Sequence, residues 1–211
     1  MFTFYRAALL TARHAVRSGM YPGVLLTAST LGLPLEEVTI AEVLAEAGYK
    51  TGMVGKWHLG VGEEGEFLPT RQGFSQYYGI PYSHDLCPFL SPCYPDSPCD
   101  AASPHPLTSG CPLYEDEVIV EQPVRLTSLS QRMGQRAQTF IKDSVRDGAP
   151  FFLYYSFNHV HFPQFSGPEF RNVSLGGSYG DSVAELDSVI GEIMETLHQS
   201  GCASLLYHLY I

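Results

Sequence analysis

Residues 39–58 decide the fold class: Thr39-Ile40-Ala41-Glu42-Val43-Leu44-Ala45-Glu46-Ala47-Gly48-Tyr49-Lys50-Thr51-Gly52-Met53-Val54-Gly55-Lys56-Trp57-His58. Thr39 can cap a helix by accepting from an N–H of its first turn. Ile40, Val43, Leu44 and Ala47 then fall at i, i+3, i+4 and i+7 beside Glu42 and Glu46, an amphipathic stripe that Gly48 ends. Tyr49 to Gly55 reads as a short strand, and helix, tight turn and strand in that order belong to an α/β sheet. The order recurs downstream. Leu126 to Val145 keeps the helical period through Leu129, Met133, Ala137, Phe140 and Ile141, Gly148 and Pro150 stop it, and Phe151 to Phe157 follows as a buried strand. Two further helices are expected, one over 6–17 with Ala8, Leu9, Ala12 and Val16 on its apolar face. The other, over 180–200, packs Val183, Leu186, Val189, Ile190, Ile193, Met194 and Leu197 inward. From Gly60 to about Gln122, Gly, Pro, Ser and acidic residues interrupt every apolar run, so this stretch reads as long and irregular.

Composition narrows the class. With 211 residues, 45% hydrophobic and 16% charged, the chain can bury a core and is neither disordered nor fibrous. Twelve Lys and Arg against 22 Asp and Glu give a net charge of −10, which repels a phosphate backbone and argues against nucleic acid as a partner. No run approaches the roughly 18 apolar residues of a membrane span. Met1 to Leu10 carries an Arg within a short apolar run, so no signal peptide is expected. The cysteines give a different address: Cys87, Cys93, Cys99 and Cys111 share one Pro- and Ser-rich stretch, of a kind that disulfides order outside the reducing cytosol. They lack the Cys-x-x-Cys spacing that structural zinc prefers, which favours disulfides over zinc. Asn172-Val173-Ser174 is an acceptor triplet for N-glycosylation.

Polar residues gather beyond the strand ends, where open α/β sheets bind ligands. His159 and His161 stand two apart, and on an extended backbone both would face one side and could share a metal or an anion. Lys56 and His58 repeat that spacing. A Lys beside several His makes a cationic pocket suited to phosphate or sulfate. A zinc site on His58, His159 and His161 would need a closed tetrahedral set and a general base that the sequence does not identify. Ser83-His84-Asp85 carries the letters of a triad, yet sequence neighbours diverge along the backbone and cannot form the relay. No G-x-S-x-G, Gly-rich phosphate loop, dinucleotide fingerprint or H-E-x-x-H occurs.

Several of these strings resemble the sulfatase family, and within it the arylsulfatases. They are Gly48-Tyr49-Lys50-Thr51-Gly52-Met53-Val54-Gly55-Lys56-Trp57-His58-Leu59-Gly60, and Phe151-Phe152-Leu153-Tyr154-Tyr155 with His159-Val160-His161-Phe162-Pro163-Gln164-Phe165. Gly19-Met20-Tyr21-Pro22-Gly23-Val24, Gln72-Gly73-Phe74 and Gly79-Ile80-Pro81-Tyr82-Ser83-His84-Asp85 extend the resemblance over about residues 6–200. It implies an alkaline-phosphatase-like α/β fold with an incomplete mixed sheet flanked by helices. Residues 1–200 would be a partial catalytic domain and 201–211 a divergent tail. It further implies hydrolysis of sulfate esters such as sulfated glycolipids, and residence in the lysosome or secretory pathway. Carried over by motif, Arg6, Lys56, His58 and His161 take catalytic positions, while Ser83 and His159 lie on the substrate side. The implied disulfides are nested, Cys87 to Cys111 and Cys93 to Cys99, which leaves Cys202 free.

The family nucleophile is the cysteine of Cys-x-Pro-Ser-Arg, converted to formylglycine, whose hydrate attacks sulfur while Ca²⁺ neutralises the ester oxygens. Here that register reads Phe2-Thr3-Phe4-Tyr5-Arg6. Arg6 matches, but Phe2 cannot become an aldehyde hydrate, so no covalent sulfate transfer is expected. Counterparts of the family's Asp pair and Asp-Asn pair for calcium are not found either, so no tight calcium site is expected and the sheet would expose edges. The alternative expectation is a non-catalytic chain that associates with a full-length sulfatase or retains a sulfated ligand.

Overall fold

Met53 and Val54 are adjacent in one interior strand of the sheet and therefore point to opposite faces of it. Each is buried, and each belongs to a different apolar core. Burial of successive residues requires cover on both faces, which is what an α/β fold supplies. The computed structural model describes residues 3–21, 23–86 and 110–202, and has this arrangement.

The strands are β1 (Lys50–Gly55), β2 (Gln76–Gly79), β3 (Leu113–Glu115), β4 (Val118–Glu121) and β5 (Phe151–Ser156), in the order β4-β3-β2-β1-β5. β1 pairs in parallel with β2 and with β5, while β3 and β4 add antiparallel. The sheet is mixed, as expected. On one face Val54, Ile80 and Leu113 pack with Leu129, Met133 and Ala137 of α3 (Leu129–Arg146). On the other, Met53, Phe74 and Tyr77 pack with Ala7 and Leu10 of α1 (Thr3–Thr11) and Ala41 of α2 (Ile40–Glu46). The fourth helix, α4 (Gly177–Gln199), lies against α3. A Cβ on Gly134 would sit 3.0 Å from Cγ1 of Val189, so glycine there lets the two helices approach closely. Among the described residues no helix is long and apolar enough to cross a membrane.

Local rules account for much of this. Thr39 caps α2 in a reciprocal box, Glu42 N donating to Thr39 Oγ1 at 3.2 Å and Thr39 N to Glu42 Oε2 at 2.7 Å. The helix ends before Gly48, whose φ is +86°. Its inward face differs from the expected stripe. Ala41 is fully buried, whereas Ile40 and Val43 are 44% and 52% exposed. A helix of seven residues meets the sheet over one small side chain and has no length to bury the rest.

The first helix also departs from expectation. It runs Thr3–Thr11 and stops at Ala12, whose φ is +54°. Thr11 Oγ1 donates to Ala7 O at 2.7 Å and accepts from Arg13 N at 3.3 Å, which ends the turn. The buried face is Thr3, Arg6, Ala7, Leu10 and Thr11, so Ala12 and Val16 are exposed and Ala8 and Leu9 only half-buried. α4 likewise turns polar residues inward: Asp181, Ser182 and Glu185 are buried, while Val183 and Met194 are exposed. These three bond to the loop before the helix, which offsets their burial. The irregular region contains β2, β3 and β4, each of three or four residues and too short to show a period. β5 is half-buried rather than buried, because among the described residues it has a neighbouring strand on one side only.

The strands converge tightly at their C-terminal ends. Gly55 has φ +104°, and a Cβ there would lie 2.0 Å from Ser156 O; one on Gly79 would lie 1.9 Å from Gly55 O. Gly55→Ala should therefore lower the unfolding free energy by about 2 kcal/mol or more, through both the positive φ and the backbone clash. Gly191→Ala, in open space on α4, should be neutral or stabilise by up to about 1 kcal/mol. Urea denaturation of the two variants checks the contrast.

Candidate functional site

Beyond Gly55 the chain stays locked to both neighbours of β1. Lys56 N donates to Ser156 O at 2.8 Å, Trp57 N to Ile80 O at 3.0 Å and His58 N to Pro81 O at 2.9 Å. Trp57 is fully buried and its Nε1 donates to Phe67 O at 2.8 Å, which fixes the residues on either side. The ends of three parallel strands thus bring together Lys56 and His58 after β1, Ser83 to Asp85 after β2 and Asn158 to His161 after β5. The two strand ends picked out by sequence are adjacent in space.

Lys56 Nζ donates to Ser83 Oγ at 2.8 Å, both groups buried. Ser83 in turn hydrogen-bonds the Asp85 carboxylate across a short 3-10 turn. From α1, the buried Arg6 guanidinium donates to Lys56 O at 2.7 Å and to Ser156 Oγ, with Tyr154 OH at 3.5 Å. His58 has φ +61° and sets its Nε2 3.1 Å from Leu25 O; a shallow cleft lined by Leu25, Thr27, His58, Val61 and Tyr82 opens beside it. His161 lies on the other side of Asp85, its Nδ1 3.6 Å from Oδ1 and 2.7 Å from Phe162 O. A carbonyl only accepts, so Nδ1 carries the proton and Nε2 is left to a ligand. His84, edge-on to His161 at 5.8 Å, points its Nε2 to Pro163 O at 2.9 Å.

The expected pairing of His159 with His161 does not form. The chain turns after β5, with His161 N bonded to Asn158 O at 3.1 Å, so the extended-strand rule fails there. His159 goes into the interface of α3 and α4, its side chain 1% exposed, with Nε2 2.6 Å from Glu185 Oε2 and 2.8 Å from Ser130 Oγ. His161 faces Asp85 with its side chain 37% exposed. A zinc site on His58, His159 and His161 has no geometric basis, and no three His, Cys, Asp or Glu side chains among the described residues come together to hold a metal. Sequence reasoning missed Asp85 and Ser156. Asp85 sits within the rejected triad letters, where a turn rather than a strand lets residues two apart meet. Phe2, Cys87, Cys93 and Cys99 lie outside the described residues.

Electrostatically the site is a buried excess of positive charge. Burial, helped by Arg6, pushes the Lys56 ammonium down to about 8, and Asp85 opposes this. Burial and then the Lys56 charge push His58 down to about 3, and burial holds His84 at about 4. At pH 5–7 these two imidazoles are therefore neutral while Lys56 and Arg6 are charged. Burial raises the Asp85 carboxyl, but the Ser83 hydrogen bond and the adjacent His161 and His84 outweigh it and leave it below the usual aspartate value. Between about pH 8 and the unfolded lysine value the unfolded chain binds the extra proton, so stability contributed through Lys56 rises with pH across that window. Lys56→Met should abolish that part of the rise in a denaturation series over pH 7.5 to 10, roughly the window between the two values.

The Sulfatase family model matches residues 4–206. The chain is 50% identical to human arylsulfatase A over 198 residues, covering 93% of this chain and 39% of that protein. It is 41% identical to rat arylsulfatase G, covering 90% of this chain and 38% of that protein. It thus spans about two fifths of the length of these curated relatives. Among solved structures, a sulfatase from Pseudoalteromonas sp. superposes with a TM-score of 0.71 at 25% identity, covering 94% of this chain and 42% of that one. A match across nearly the whole described chain, through every strand whose end builds the cationic pocket, places this chain in the sulfatase family.

Proposed function

We propose that the chain binds sulfate esters through the strand-end pocket and does not itself carry out covalent sulfate transfer. The observation that carries the binding half is the Lys56–Ser83 contact beside the buried Arg6. Two cations held out of water with Asp85 as the facing carboxylate favour an additional anion, and a sulfate ester offers a single charge spread over oxygens that only accept. In this reading Lys56 Nζ, with one proton committed to Ser83, directs the others at the sulfate oxygens. Ser83 orients that ammonium, and Arg6 holds the Lys56 backbone in place. His161, with Nδ1–H turned to Phe162 O, leaves Nε2 facing the pocket, and in its charged form donates Nε2–H to an ester oxygen as a binding contact. His58 is a neutral lining group. His159 acts at a distance, fixing through Glu185 the loop that carries His161.

The inactive half rests on Phe2, which stands where the resemblance puts the formylglycine precursor. A phenyl ring holds no atom able to attack sulfur. The polar groups of the pocket are chiefly cationic and do not fit a calcium ion, which takes several carboxylate or carbonyl oxygens. Nested disulfides Cys87–Cys111 and Cys93–Cys99 belong to the same reading. They are supported by the complete burial of Cys111, and they imply an oxidising lysosomal or secretory compartment.

Purified from an oxidising compartment, the chain should show no turnover of a chromogenic aryl sulfate at acidic pH, beside an active sulfatase control. The same ester should bind in calorimetry, and Lys56→Ala should weaken it by about 10-fold or more, the worth of a lost charged hydrogen bond. Hydrolysis above background would contradict the inactive assignment. A folded chain that binds no ester would contradict the pocket.

A further inference from the structure

The loop between the 3-10 turn Pro168–Phe170 and α4 carries a feature that the sulfate pocket does not use. Its residues 172–174 have their backbone held by one buried carboxylate. Asn172 N donates to Asp181 Oδ2 at 2.8 Å, and Val173 N and Ser174 N donate to Oδ1 at 3.1 and 2.9 Å. That clamp fixes the peptide groups inward and turns the side chains of Asn172 and Val173 out to solvent. Asn172 adopts φ +56°, a left-handed conformation that asparagine tolerates better than other side chains with a Cβ. Its side-chain amide makes no hydrogen bond among the described residues.

The same surface is apolar. Val173 and Tyr179 are 55% and 56% exposed, and Leu175 is completely so. Large side chains left in water on one short loop and the helix start behind it call for cover. Asn172-Val173-Ser174 is the one Asn-x-Ser/Thr string in the sequence, which holds two asparagines in all.

We infer that Asn172 is an N-glycosylation site and that its glycan shields the Val173, Leu175 and Tyr179 surface. The donor is an oligosaccharide linked to a lipid diphosphate. The Asn172 Nδ2 attacks the anomeric carbon, a C–N bond replaces the carbon–oxygen bond to the diphosphate, the lipid diphosphate leaves and the amide gives up one proton to a base. A bulky hydrated group at that atom projects over the apolar loop while the clamped backbone keeps it clear of the core. The inference rests on entry into the secretory pathway, which the test supplies, and it is independent of sulfate binding.

The whole chain is expressed behind a cleavable leader in a eukaryotic cell and recovered from the lumen as well as from the medium, so that the result does not depend on secretion. Peptide-N-glycosidase should remove one oligosaccharide and convert Asn172 to Asp in the peptide mass spectrum. Asn172→Gln and Ser174→Ala should each abolish the shift, and Ser174→Thr should retain it. Leader-cleaved chain with unmodified Asn172 overturns the site. Without the glycan, the chain should bind severalfold more of a hydrophobic dye, an excess that Val173→Ser with Leu175→Ser removes. Equal dye binding with and without the glycan overturns the shielding.

Discussion

The Arg6 guanidinium is the joint on which the site depends. It reaches from α1 to the carbonyl of Lys56 and the hydroxyl of Ser156, the ends of two parallel strands. A charge taken out of water persists only where its donors are met, and Arg6 is 3% exposed. Meeting them requires β1 and β5 in register at Gly55 and Ser156, and that register requires glycine where a Cβ would strike Ser156 O. Once this joint is closed, Lys56 has one direction left, toward Ser83. Arg6 also adds to what burial does to Lys56, because a second cation this near makes the ammonium charge harder still to keep without an anion.

Where local rules act on their own, the fold was legible. The capping box at Thr39, the strand before Lys56, the period of α3 and the strand at Phe151 all follow from residues within one element. The errors share a cause, which is partners outside the element itself. Arg6 is a surface residue by composition, yet its acceptors lie 50 and 150 residues on, and they turn α1 so that Arg6 and Ala7 face inward. Asp181 and Glu185 break the apolar stripe of α4 because their donors lie in the preceding loop. Short strands such as β3 show no alternation and exist through pairing alone.

The site was legible in its inventory and not in its arrangement. Lys56, His58, Ser83 and His161 stand out by residue type and resemblance, and their convergence follows from the parallel order of β2, β1 and β5. Spacing alone groups His159 with His161, because it presumes extended backbone. The turn after β5 instead gives the two imidazoles different tasks, one buried against Glu185 and one facing the pocket. Asp85, which joins Ser83 to the His161 side, became visible only once the 3-10 turn was known. In this account binding and covalent transfer are separable: the pocket is made by strand ends and α1, whereas transfer needs a particular atom at position 2.

A crystal structure of the chain soaked with selenate, a sulfate mimic whose anomalous signal locates it without bias, tests whether the strand ends bind the anion. Selenium should appear at the ends of β1, β2 and β5, with an oxygen in hydrogen-bond reach of Lys56 Nζ and its site lost in Lys56→Ala. Selenate that binds elsewhere, or an empty pocket in a well-ordered crystal at saturating selenate, would contradict it.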